Sequence, residues 1–431
     1  MRKIYNLFTS LFLLSLTINS LGQTNTSSPY SRYGLGDLSS SMSGFSRGMG
    51  GTGIGLRMPS QINFLNPAAY TSQDTLSFIF DVGLSGNKTN YQTSSGSMLK
   101  KEASFTHLGF GFPITKWMAA SFGAQPYSSV GYKIKSLANS FPDVGSVYYR
   151  NEGTGDLNRF FLGTAVKYKN LSIGINAYYM LGTLSYKNSN VPEDVNSYAF
   201  ETSHNFVVKD VYFGIGAQYL IDLNDHTILT LGATFEPKSG LKATQTKLQT
   251  QFLASEIENP FRSTEDTLFN TKDKSGHITL PSKFGLGASV IFNKKLTVAF
   301  DYSIQNWTKS EIPFEVQSNT NAMLTKSNSF NFGVQYVPNY MAIRGYFPHI
   351  NYRLGGHYQD TYLSLNGQKV KDYGLSIGVG LPFKGSKNMI HINYEFGQRG
   401  TLDHNLVLEK YNVISISLSL YDFWFVKPKF D

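Results

Sequence analysis

The chain has no cysteine among its 431 residues. That excludes a disulfide scaffold, a thiolate metal site and a lipid-anchored mature form. Charge is scarce as well, at 16% of residues. The formal net charge is +9, or 9 − 2 = +7 without Arg2 and Lys3. No basic block gathers it, so nucleic acid is not an expected partner. After the first twenty-two residues no apolar run approaches the roughly 20 residues that a membrane-spanning helix needs. The eight histidines are scattered, and none stands at H-x3-H spacing. His107 and His391 fall on strands far apart in sequence, so spacing assembles no nucleophile with its base. The expectation is a protein that is not an enzyme and holds no metal or cofactor.

What the chain does have is glycine and aromatics: 40 Gly, 27 Tyr and 32 Phe. Residues 1–22 read as a signal peptide. Arg2 and Lys3 begin it, Phe8 to Ile18 is its short apolar run, and Ser20 and Gly22 place cleavage before Gln23.

Beyond it, apolar residues alternate with small polar ones. Leu171, Ile173, Ile175, Ala177, Tyr179 and Leu181 oppose Ser172, Gly174, Asn176, Tyr178, Met180 and Gly182. Leu296, Val298, Phe300, Tyr302 and Ile304 oppose Thr297, Ala299, Asp301, Ser303 and Gln305. Ile414, Ile416, Leu418 and Leu420 oppose Ser415, Ser417 and Ser419. Period two is the mark of strands with one apolar face.

Fourteen such strands are predicted, at 75–86, 102–114, 116–134, 157–169, 171–186, 205–222, 226–238, 278–292, 294–308, 327–337, 349–363, 370–383, 388–401 and 409–424. Most exceed the soluble norm of about 5–6 residues and suit a tilted crossing of about 9–11. Connections after even strands are mostly tight: Thr115, Asn170, Asn224-Asp225, Asn293 and Lys384–Lys387. Those after odd strands are mostly long: 87–101, 135–156, 187–204, 239–277 and 309–326. The longer turn 338–348 is the exception on the tight side. Short turns facing long loops, with an even strand number, predict an all-β fold: a 14-stranded antiparallel transmembrane β-barrel in a bacterial outer membrane. Closure removes the sheet edges that lipid would not tolerate. Trp117, Trp307, Trp424, Phe423 and Phe425 fall near strand ends, where interfacial aromatics belong.

A fourteen-stranded lumen is too wide for Gly, Ser and Asn side chains to fill. Residues 23–74 precede the first strand on the short-turn side. Within them Phe45–Tyr70 is rich in glycine and ends in Asn66-Pro67-Ala68-Ala69. We expect this segment to fold into the lumen as a plug, leaving 75–431 as the barrel. A free periplasmic tail is the alternative. A nucleotide loop at Gly48, Gly50 and Gly53 is excluded, because no strand precedes it and no βαβ unit follows.

These residues carry a resemblance. Arg47-Gly48-Met49-Gly50-Gly51-Thr52-Gly53 with Asn66-Pro67-Ala68 resembles the N-terminal hatch of the FadL/TodX (outer-membrane protein P1) family. Phe122–Tyr127, Leu280-Pro281 with Gly285 and Gly287, Asp301, Trp307 and Tyr352–Gly355 resemble further strands of it. The end, Trp424–Asp431, looks like barrel ends of Bacteroidetes members, and 239–277 has no clear counterpart. The resemblance implies a channel for passive, gated uptake of hydrophobic small molecules, such as long-chain fatty acids or aromatic hydrocarbons. It implies a hydrophobic ligand, detergent or lipid in the lumen and outer-membrane lipid around the wall. It also implies sideways release into the membrane. PorV-like barrels of the same family imply another role, as a protein partner within type IX secretion.

Pro126 is the residue that suits a wall gap, since it has no N–H for the strand ladder. Gln125, Pro126 and Ser128 are the gap candidates, with a harmless bulge as the alternative. On the lumen face stand Asp81, His107, Glu236, Asp301, Arg353, His391 and Glu395. Barrel interiors are ordinarily polar, so structural pairing competes with a ligand site at each of them. Arg353 is the best placed to hold a carboxylate in its fork.

Overall fold

The computed structural model describes residues 26–141, 145–259, 261–310 and 322–424. The expected signal peptide, Phe425 and the rest of the chain end lie outside them.

A strand turns successive side chains to opposite faces, so alternation decides which face is covered. Ser172 and Asn176 are 0% and 1% exposed, whereas Ile175 and Phe213 are 45% and 50% exposed. The polar face is inside and the apolar face is outside. A soluble sandwich would have the reverse order, and a wall surrounded by lipid has this one.

Fourteen strands form the wall. They are β1 (Ser77–Thr93), β2 (Gly96–Pro113), β3 (Met118–Phe141), β4 (Gly145–Tyr168), β5 (Leu171–Pro192) and β6 (Tyr198–Asn224). β7 runs through Thr227–Glu236 and Ser239–Leu253, and β8 through Asp266–Leu280 and Lys283–Phe292. Pro237 and Pro281 sit at the two breaks, where a missing N–H interrupts the ladder. Next come β9 (Leu296–Asn306), β10 (Ala322–Leu324 with Lys326–Tyr336), β11 (Asn351–Leu365) and β12 (Gln368–Pro382). β13 (Met389–Arg399) and β14 (Leu408–Phe423) complete the wall. Neighbours are antiparallel, and β14 returns to β1 with Leu408 opposite Gln92 and Phe423 opposite Ser77.

Two expectations need correction. The long connections at 87–101, 135–156, 187–204 and 239–277 are largely strand. Thr93 pairs with Gly96, and β6 alone is 27 residues long. These extensions rise beyond the apolar band, where water meets both faces. Alternation fades there although Thr, Tyr and Val still favour strands. Trp307 is the second correction. It is fully buried, with its ring 4.9 Å from that of Tyr362, rather than at an interface. Trp117 and Trp424 are exposed, and Trp424 stacks on Phe78 at 4.0 Å.

Residues 26–76 run along the inward side chains of this wall. Asn66 caps the 3-10 helix Pro67–Ser72 through its bond from the Ala68 N–H, and its amide donates to the carbonyls of Ile54 and Ala217. Arg57 donates to Gln218, Ser172 and Thr71, and burial lowers its guanidinium to about 10. Gly50 has a φ of +65°, and a Cβ there would lie 2.4 Å from the Gly356 nitrogen. Only glycine meets both demands.

Candidate functional site: the open joint between β2 and β3

β2 and β3 are paired only from Pro113–Ala119 up to Leu108–Ala124. Above that point β2 stays bonded to β1 and β3 to β4, but not to each other. The swerve has a local cause. Pro126 has no N–H, and the register against β4 shifts between Pro126 and Ser128, leaving Tyr127 bulged. A bulge bends its strand and raises its twist. The freed edge of β3 takes a partner from the N-terminal segment. Asp37 and Leu38 pair with Ser129 and Ser128, and the Ser39 N–H donates to the Tyr127 carbonyl at 2.8 Å.

Phe64 closes the foot of the joint. A Cβ on Gly109 would lie 2.6 Å from its ring, and Phe161 meets it edge-on at 5.7 Å. The three gap candidates all lie here. Gln125 is buried and accepts from Arg159, Pro126 lines the cavity behind the joint, and Ser128 is buried with its hydroxyl unpartnered among the described residues.

That cavity holds about 290 Å³ and reaches from Glu102 and Phe105 on β2 past β1 to Glu409 on β14 and Glu395 on β13. Its walls are polar and charged. Arg399 pairs with Asp37 and approaches Glu409 at 4.0 Å, and Ser28 donates to Glu409 at 2.5 Å. His357 stands 3.6 Å from Asp372 and 3.9 Å from Glu395. Arg47 faces the same space. Its Nε has no hydrogen-bond partner among the described residues, and burial lowers its guanidinium while Glu395 opposes that shift.

The other expected lumen residues serve the wall. Asp301 accepts from the N–H groups of Gly53 and Ile54 at 2.6 and 2.9 Å. His107 and His391, distant in sequence, belong to one buried chain. His107 meets Asp81 at 3.0 Å, Ser419 donates to Asp81 at 3.1 Å, and His391 lies 3.3 Å from Ser419. Arg353 then reaches His391 at 2.8 Å and Gln335 at 2.8 Å. It crosses β12 over Gly380, where a Cβ would lie 3.0 Å from its Nη2. The fork of Arg353 is thus engaged by its neighbours and does not line the cavity. Barrel closure brings β13 and β14 beside β1 and β2, a proximity that spacing along the chain hides.

Two G-x-S-x-G strings occur, at Gly44–Gly48 and Gly374–Gly378. Ser46 donates to the Thr52 carbonyl, and Ser376 accepts from the Gly50 N–H, so both hydroxyls hold the N-terminal segment. Among the described residues no cluster of His, Asp and Glu is arranged to hold a metal ion.

Sequence reasoning missed Asp37, Arg399 and Glu409. Their signal was weak: a charge near the end of a strand is ordinarily a solvated one.

A closed fourteen-stranded antiparallel barrel is the fold of the FadL/TodX channels. The toluene transporter TodX of Pseudomonas putida matches with a TM-score of 0.57 at 16% identity, over 89% of this chain and 98% of that one. The CymD monoaromatic hydrocarbon channel gives 0.55 at 16% identity, over 89% and 97%. A Pseudomonas aeruginosa FadL homologue gives 0.55 at 12% identity, over 90% and 98%. No curated protein matches the chain in sequence. The chain belongs to the BamG family, whose model matches residues 1–431.

Proposed function

We propose that this protein is an outer-membrane channel for passive uptake of hydrophobic small molecules, releasing them sideways through the β2–β3 joint. The observation that carries the reading is the joint itself. Two long neighbouring strands part in mid-wall, and a cavity stands behind the parting. Ala124 lies about nine residues above Thr115, roughly 20–25 Å up a tilted strand. That height is inside the outer half of the membrane, where an apolar solute can leave into acyl chains.

In this reading residues 1–22 direct export, 23–74 are the hatch and 75–431 the wall. Gly48, Gly50, Gly51 and Gly53 let the hatch lie against the wall, and Asn66-Pro67 anchors its far end. The pairing of Asp37-Leu38 with β3 is the contact that must yield for the gate to open. Fold likeness to a toluene transporter and a monoaromatic hydrocarbon channel supports the substrate class.

A second reading, a barrel that serves as a partner within an outer-membrane protein assembly, is favoured by one observation. The cavity is lined by charged groups rather than by a continuous apolar tunnel.

Pro126→Val restores an N–H and removes the cause of the swerve. The expected outcome is slower uptake of radiolabelled toluene or oleate by cells, with normal heat-modifiable migration of the barrel. Unchanged uptake defeats the lateral route. Uptake by the unaltered protein no faster than by cells lacking it supports the partner reading instead.

A further inference from the structure

The turn side of the barrel carries one feature that uptake does not use. Its other connections are short, but the β10–β11 connection, 337–350, is long and ordered. The Asn339 N–H donates to the Pro348 carbonyl at 2.9 Å, and the Ile350 N–H to the Phe347 carbonyl at 3.2 Å. At its tip Met341, Ile343 and Phe347 are 71%, 100% and 74% exposed. Beside it lies a groove of about 980 Å³, between this connection, the β12–β13 turn and the end of β14. Ile343, Tyr346, Phe383 and Phe423 supply its apolar surface. Its rim is basic. Arg344 and Lys384 have no ion pair among the described residues, Lys387 bonds Asp74 at 2.5 Å, and Asp422 is the one acid that lines it.

The direction of the groove separates its possible occupants. Tyr421 and Phe423 share the face of Ser415, Ser417 and Ser419, which looks into the lumen. Phe423 is nevertheless half exposed. Phe383, by contrast, continues the outward register of Leu375 and Ile377. The groove therefore straddles the rim at the mouth of the barrel, with Phe423 on the side of its axis and away from the acyl chains that bathe Ile414 and Ile416. Exposed apolar surface on that side needs a cover other than lipid tails. The chain's own end carries Lys427 and Lys429, which a basic rim repels.

We propose that this mouth groove docks an acidic, amphipathic segment of a periplasmic protein. Apolar side chains of the segment cover Ile343 and Phe423, and its carboxylates meet Arg344 and Lys384. The proposal rests on the outer-membrane orientation and is independent of uptake.

The test uses the full chain in growing cells, with a photo-crosslinking amino acid in place of Ile343. A discrete protein adduct is expected, whose crosslinked peptide is rich in Asp and Glu by mass spectrometry. Arg344→Glu with Lys384→Glu should lower its yield by about tenfold, while heat-modifiable migration shows the barrel intact. The same crosslinker in place of Met323, at the far end of the barrel, should not give this adduct. Adducts to phospholipid alone, to a second copy or to residues 425–431 overturn the proposal. So does a protein adduct indifferent to the charge reversal.

Discussion

The wall has two joints that chain order makes special, and they behave oppositely. β14 meets β1 across the chain's whole length, yet they pair without interruption from Leu408–Gln92 to Phe423–Ser77. β2 and β3 are consecutive, joined by a short turn, yet they pair only from Leu108–Ala124 to Pro113–Ala119. Sequence proximity favours the second joint, since a short loop costs less entropy to close. Length does not explain the difference, because β2 has 18 residues and β3 has 24. The difference is local: one proline and one bulge redirect β3, and a two-residue strand from the N-terminal segment takes the vacated edge. A joint fails where its own residues withdraw a donor, not where the chain has farthest to travel.

Four outcomes break or sharpen that contrast. Ile416→Pro puts the same defect into the closed joint, between Leu84 and Ile392. In lipid an unmet backbone group costs several kcal/mol, so no heat-modifiable barrel is expected on a gel; normal folding would remove the distinction. Gly355→Val acts on the inner lining, where a Cβ would lie 2.1 Å from the Gly50 nitrogen. Overpacking against backbone should cost about 3 kcal/mol or more, seen as cleavage of residues 26–76 by protease in an intact barrel. Asp301→Ala leaves the Gly53 and Ile54 N–H groups without their acceptor. A loss of about 2–4 kcal/mol follows for two buried donors, read as faster amide exchange at those positions; unchanged exchange would mean that Asp301 does not hold the segment. The smallest effect is at the far rim. Hydrogen bonds from Ser263 and Thr264 hold the Glu256 carboxyl down to about 2. That stabilisation is complete above the ordinary carboxylate range and disappears as pH falls through about 2. Amide exchange at Ser263 and Thr264 should rise over that interval, and Glu256→Gln should abolish the rise.

Fourteen strands, their outward face and the tight turns were legible in the sequence because alternation reports a boundary between two solvents. The same logic failed in the extensions beyond the membrane, where no boundary exists. Pro126 was legible because proline's missing donor is a property of the residue itself. The buried set of Arg353, His391 and His107 was legible only as single inward ionisable residues. Their union depends on closure and on room left by Gly380, and neither shows in local pattern. Asp37 and Arg399 stayed hidden for the same reason, being 362 residues apart.

The buried chain from Gln335 to His107 runs across the strands on both sides of the closing joint. Two of its six members, Asp81 and His107, arrive with the first two wall strands, and His391 and Ser419 arrive with the last two. Until β14 is in register, Asp81 and His107 have no Ser419 and no His391 to meet. A barrel shut one residue out of step would trap them against apolar side chains. The polar set therefore acts as a tally stick split between the two ends of the polypeptide. Only the correct closure matches its halves, so the last strand carries a check on the first.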